Sequence, residues 1–92
     1  MRVLIAEDDL VTVQMLAGLL RSWSYEAVVT RDGMEALSML KQNPALQMAV
    51  LDWELPGMDG PDVCRRIREY RKDSPTYIVL VTSRRDRQDV IA

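Results

Sequence analysis

Polar and acidic residues stand directly after three apolar runs of this chain. Glu7 and Asp8 follow Val3-Leu4-Ile5-Ala6, Asp52 follows Met48-Ala49-Val50-Leu51, and Thr82-Ser83 follow Tyr77-Ile78-Val79-Leu80-Val81. If the runs are neighbouring strands, Glu7, Asp8 and Asp52 converge. Crowded carboxylates raise one another's pKa unless a cation lies between them. Oxygen ligands without imidazole or thiolate favour a hard divalent ion, Mg²⁺ ahead of Ca²⁺. An acid just after a strand can equally be a helix N-cap, and Asp8 or Asp9 alone would fit that reading. A third carboxylate and a hydroxyl from separate runs favour a site.

Composition narrows the chemistry. The 92 residues contain no histidine, which excludes imidazole acid–base catalysis and imidazole zinc sites. The single cysteine, Cys64, has no partner for an internal disulfide, in keeping with a reducing compartment. A net charge of −2 offers no global basic field for nucleic acid or an anionic membrane, so neither is expected to bind this domain directly. The apolar runs are too short to span a bilayer, and Met1-Arg2 does not open a signal peptide. The expected location is the cytoplasm.

Periodicity supplies the elements that must position these residues. Strands are expected at Arg2–Ala6, Glu26–Thr30, 47–52 and 76–81. Between them lie helical patterns. One covers 10–23, with Val13, Leu16, Leu19, Leu20 and Trp23 as its apolar positions. The next opens on the capping-box form Asp32-Gly33-Met34-Glu35 and stops at Asn43-Pro44. A third starts with Pro61 at its first position and carries Val63, Cys64, Ile67 and Tyr70 inward, with Arg65, Arg66, Arg68 and Arg71 outward. The polar stretch from Arg84 to Asp89 reads as the opening of a further helix. Apolar strands alternating with helices imply an α/β fold, a doubly wound parallel sheet in a three-layer α/β/α sandwich. Residues 1–92 form one domain, with the strand-end residues at its carboxyl edge.

Val3-Leu4-Ile5-Ala6-Glu7-Asp8-Asp9, Leu51-Asp52-Trp53-Glu54-Leu55-Pro56-Gly57-Met58-Asp59-Gly60 and Val81-Thr82-Ser83, in that order, resemble the receiver domain of bacterial two-component response regulators. The resemblance implies a flavodoxin-like sheet of order 2-1-3-4, with the family's fifth strand missing from this chain. It implies that Asp52 accepts a phosphoryl group from a histidine kinase or phosphotransfer protein. Asp8 would ligate Mg²⁺ directly, Glu7 through water, and Glu54 through its backbone carbonyl. Thr82 would bind a phosphoryl oxygen and shift on activation, with small Ser83 leaving room. Such a domain is a phosphorylation switch rather than an enzyme acting on a separate substrate, and an output domain can follow it.

The chain departs from the family where a fifth strand would bring a lysine and an aromatic switch residue. Its two lysines, Lys41 and Lys72, fall on helical segments away from the carboxylates. Read as C-terminally incomplete, it leaves the fourth strand as an exposed edge, through which dimerisation is expected. A degenerate receiver serving as an interaction module is the alternative. A Mg²⁺-dependent aspartyl-phosphate phosphatase fits less well, because Glu54 stands where such enzymes place a second aspartate. Trp53 is expected to pack beside Asp52, Cys64 to be buried, and the α-helical arginines to be solvated.

Overall fold

The computed structural model describes residues 1–73 and 76–81. In chain order these form β1 (Arg2–Ala6), α1 (Leu10–Ser22), β2 (Glu26–Thr30), α2 (Gly33–Gln42), β3 (Met48–Asp52), α3 (Gly60–Tyr70) and β4 (Tyr77–Val81). The strands are parallel and lie in the order β2-β1-β3-β4, as expected. Central β1 is solvent-free from Val3 to Ala6, so its near-continuous apolar run has both faces to bury. Leu4, Ala6, Ala49 and Leu51 face α2 and α3, packing on Leu37, Leu40, Val63 and Ile67. Val3 and Ile5 face the other way and pack on Leu20 of α1.

Each helix is started by an aspartate whose carboxylate accepts a backbone N–H: Asp9 from Thr12, Asp32 from Glu35, and Asp59 from Asp62. The third helix therefore begins one residue earlier than expected, at Gly60, with Pro61 inside its first turn. The Asp32–Glu35 capping box closes differently too. Glu35 reaches the Arg31 N–H at 3.4 Å.

The inner faces of α1 and α3 are narrower than periodicity suggests. Leu19 and Trp23 are exposed, and α1 ends at Ser22, because the chain reverses there. The Tyr25 N–H donates to Leu20 O at 2.9 Å and the Ser24 N–H to Arg21 O at 3.0 Å, a Schellman motif. Ser24 is its left-handed residue, at φ 66°. At the end of α3, Tyr70 is exposed and holds the Lys41 ammonium 5.1 Å from its ring centre. Cys64 is half-buried, not buried. Arg71 is not solvated as expected. It turns inward and donates to the Leu40 and Asn43 carbonyls at the end of α2 and to the Leu46 carbonyl just before β3.

Candidate metal and phosphoryl site

The β1–β3 register pairs Ala6 with Leu51, so the next residues, Glu7 and Asp52, emerge side by side. Asp8 joins them. One carboxylate oxygen from each of Glu7, Asp8 and Asp52 lies within 4.8 Å of the others. Glu7 is 1% exposed and Asp52 3%, while Asp8 is open to solvent. This is the convergence expected from the strand ends.

The Asp9 N–H donates to Glu7 Oε2 at 3.0 Å. Glu7 Oε1, equally buried, finds no donor. Burial raises the Glu7 pKa to about 7, against the Asp9 N–H that lowers it, and the neighbouring Asp52 charge pushes the same way as burial. Asp52 is also raised, chiefly by burial, despite hydrogen bonds from Glu7 and from the Glu54 and Trp53 N–H groups. With no cation present, burial and the neighbouring Asp52 charge thus favour the protonated form of Glu7. An orphaned buried carboxylate oxygen beside two more carboxylates suits a hard cation, which would take the place of that proton.

The loop after Asp52 is held from several sides. The Trp53 N–H donates to Val81 O at 2.6 Å, and the Gly60 N–H to Trp53 O at 2.9 Å. Gly60 sits against the strand end, where a Cβ would come 2.4 Å from the Asp52 carbonyl oxygen. Gly57 takes φ +80°, allowing Met58 N–H to close a γ-turn on Pro56 O at 2.9 Å. Glu54 follows Asp52 by two residues and is exposed. Trp53, expected to be packed, is 48% exposed, because only its backbone is tied down.

Thr82 and Ser83 lie outside the described residues, as do Arg84, Arg85 and Arg87. Lys41 ends α2 and Lys72 follows α3, and helices antiparallel to the strands place both at the edge opposite Asp52. Two clefts lined by described residues also lie away from the carboxylates. One, of about 390 Å³, is lined by Met34, Leu37, Ser38, Lys41 and Gln42, and another, of about 250 Å³, by Lys41, Arg66, Glu69 and Tyr70. Sequence reasoning missed the contact of Gly33 with the 53–59 loop. Its signal was a glycine inside a helical turn, where alanine would serve the helix better.

Comparison with known proteins agrees with this geometry. Residues 3–92 match the family described as the response regulator receiver domain. The chain is 38% identical over 91 residues to the DNA-binding response regulator MtrA of Mycobacterium tuberculosis, covering 98% of this chain and 38% of that protein. It is 42% identical over 82 residues to the sensory transduction protein RegX3 of Mycolicibacterium smegmatis, covering 89% and 34%. The chain thus spans little more than a third of these curated relatives. Among solved structures, the response regulator TrrA of Thermotoga maritima in complex with Mg²⁺-BeF superposes with a TM-score of 0.81 at 28% identity, covering 96% of this chain and 74% of that one. TrrA in complex with the histidine kinase ThkA gives 0.79 at 30% identity, covering 89% and 68%. With its parallel order β2-β1-β3-β4 and its strand-end carboxylates, this chain belongs to the response regulator receiver domain family.

Proposed function

We propose that Asp52 accepts a phosphoryl group from a histidine kinase or phosphotransfer protein, in a Mg²⁺-dependent reaction that switches a two-component signalling pathway. The observation that carries this reading is the mutual approach of Glu7, Asp8 and Asp52 within 4.8 Å at the carboxyl edge of a parallel sheet. An Asp52 carboxylate oxygen forms the O–P bond as the donor's N–P bond breaks, leaving an acyl phosphate on Asp52; the donor ring, protonated at its other nitrogen, leaves as neutral histidine. Mg²⁺, when bound, supplies charge neutralisation and orientation for the transferring group.

The chain's own residues prepare that step. Asp8 and Asp52 would hold the ion directly through their carboxylates, Glu7 would act on it through water, and Glu54 would offer its backbone carbonyl. The Glu54 N–H steadies the Asp52 carboxylate. Thr82 answers the new phosphoryl charge with its hydroxyl and biases the segment after β4. The domain assists its own phosphorylation and dephosphorylation without a separate substrate, and works in the cytoplasm ahead of an output domain. Support comes from the solved relative TrrA, which was crystallised both with Mg²⁺-BeF and with the histidine kinase ThkA.

The test is incubation with acetyl phosphate and Mg²⁺, followed by intact and peptide mass spectrometry. The parent protein should gain about 80 Da on the peptide containing Asp52. Asp52→Asn should gain nothing. Equal gain by Asp52→Asn would overturn the assignment.

A further inference from the structure

Gly33 begins α2, yet its backbone conformation does not call for glycine. Among the described residues, the glycine with positive φ is Gly57. Glycine in a helix costs about 1 kcal/mol relative to alanine. What Gly33 lacks is space. A Cβ there would fall 1.7 Å from the Met58 carbonyl oxygen, 2.6 Å from its carbon and 2.9 Å from Met58 Cβ. The Gly33 N–H also donates to Pro56 O at 3.0 Å. The first turn of α2 therefore touches the 53–59 loop backbone to backbone.

That loop is the segment leaving Asp52 and carrying Glu54. Its start is tied to β4 and to α3 through the two Trp53 backbone bonds, and its end becomes the Asp59 cap of α3. Its middle rests on α2. Leu55 packs into the core with Leu37, and the γ-turn at Pro56–Met58 seats on Gly33. Met34 adds a second contact, its Cγ 3.4 Å from where a Gly57 Cβ would lie.

We propose that Gly33 is a positioning residue for the metal and phosphoryl site. The close approach it permits sets how far the 53–59 loop stands from the sheet edge, and so where the Glu54 carbonyl meets an ion held by Asp8 and Asp52. The proposal rests on the phosphoacceptor reading, since it concerns that site's metal shell. Residues behind metal ligands typically change affinity about 10-fold or more when altered. A side chain at position 33 must push Met58 away and should act on that scale.

The experiment uses a Trp23→Phe, Gly18→Ala parent. It leaves Trp53 as the sole indole and gains helix stability at Gly18, where an added Cβ meets nothing within 4 Å. Gly33→Ala in this parent should weaken Mg²⁺ binding, read by Trp53 fluorescence, about 10-fold. It should also speed amide hydrogen exchange at Met58 and Gly60 in the metal-free protein, leaving the β1 amides unchanged. Gly57→Ala strains the same γ-turn from the loop side and should lower Mg²⁺ affinity with α2 intact, which covers the case of a poorly folding Gly33→Ala. A parent that responds to Mg²⁺, with either folded variant binding as tightly as it does, overturns this proposal alone. A parent with no Mg²⁺ response overturns the phosphoacceptor reading, and this proposal with it.

Discussion

The Arg71 guanidinium donates to the Leu46 carbonyl oxygen at 2.7 Å, across 25 positions of sequence. The same group reaches Asn43 O at 2.6 Å, Thr76 Oγ1 at 3.2 Å and the Leu40 carbonyl. Leu40 and Asn43 belong to the carboxyl end of α2, whose last carbonyls have no partners within the helix. A cation from the end of α3 satisfies them and meets the negative pole of α2. Arg71→Met should destabilise the fold by about 2–3 kcal/mol, lowering the urea midpoint at constant m. Arg71→Lys should recover little, since an ammonium cannot fork across these acceptors. Parent-like stability in Arg71→Met would refute the clamp.

Ser24 and Gly18 are opposite mismatches on and after one helix. Ser24 holds a left-handed conformation that glycine adopts without strain, and Gly18 sits mid-helix with open space around it. Ser24→Gly and Gly18→Ala should each raise stability by about 0.5–1 kcal/mol, and together add. Thermal unfolding of the two variants and their combination checks this, and a loss in either contradicts it.

The Glu7 proton makes the metal-free fold sensitive to pH. Burial lifts this group from 4.5 to about 7, so the folded chain keeps a proton that the unfolded chain releases. The stabilisation is complete below about pH 4.5 and is lost as pH climbs toward 7. Metal-free stability should therefore fall across that window, with a slope of about 1.4 kcal/mol per pH unit from this group. Asp52, also raised by burial, acts in the same direction. Glu7→Gln should remove most of the slope. Mg²⁺ affinity should run the other way, climbing as Glu7 deprotonates and levelling above pH 7. Denaturant titrations between pH 5 and 8, with and without Mg²⁺, separate the two trends. A metal-free stability that rises across this range would contradict the assignment.

Much of this was legible in the sequence, because a parallel sheet sends every strand end to one edge. Once Val3–Ala6 and 47–52 were read as neighbouring strands, Glu7 and Asp52 had to meet. Arg71 was harder to read. On an amphipathic helix an arginine is assigned to solvent, yet Val63, Ile67 and Arg71 are spaced by four and share one face. The face continues past the apolar residues and delivers a guanidinium to carbonyls that periodicity cannot see. Gly33 is the same kind of case, because its partner is a backbone carbonyl in another segment. Tyr70 errs the other way. It has core spacing, but the helix ends there, and the ring takes a lysine instead of a core.

β4 is the outer strand of the sheet among the described residues, and Tyr77–Val81 contains no charged residue. Tyr77 is 65% exposed and Val79 52%. Both are registered with Met48 and Val50, which places them on the α1 side of the sheet beyond the reach of Leu20. Apolar edges of this kind recruit further strands. The 92-residue chain expressed alone should self-associate, and Val79→Lys should shift it toward monomer. Light scattering decides, and a monodisperse parent monomer would refute the expectation.

The pairing of β1 with β3 also bears on synthesis. A ribosome that has released β1, α1, β2 and α2 has made Glu7 and Asp8 but not the strand that brings their partner. Until β3 inserts beside β1, Glu7 and Asp8 lack the third carboxylate of the cluster. The three-carboxylate cluster therefore arrives in one step with closure of the sheet.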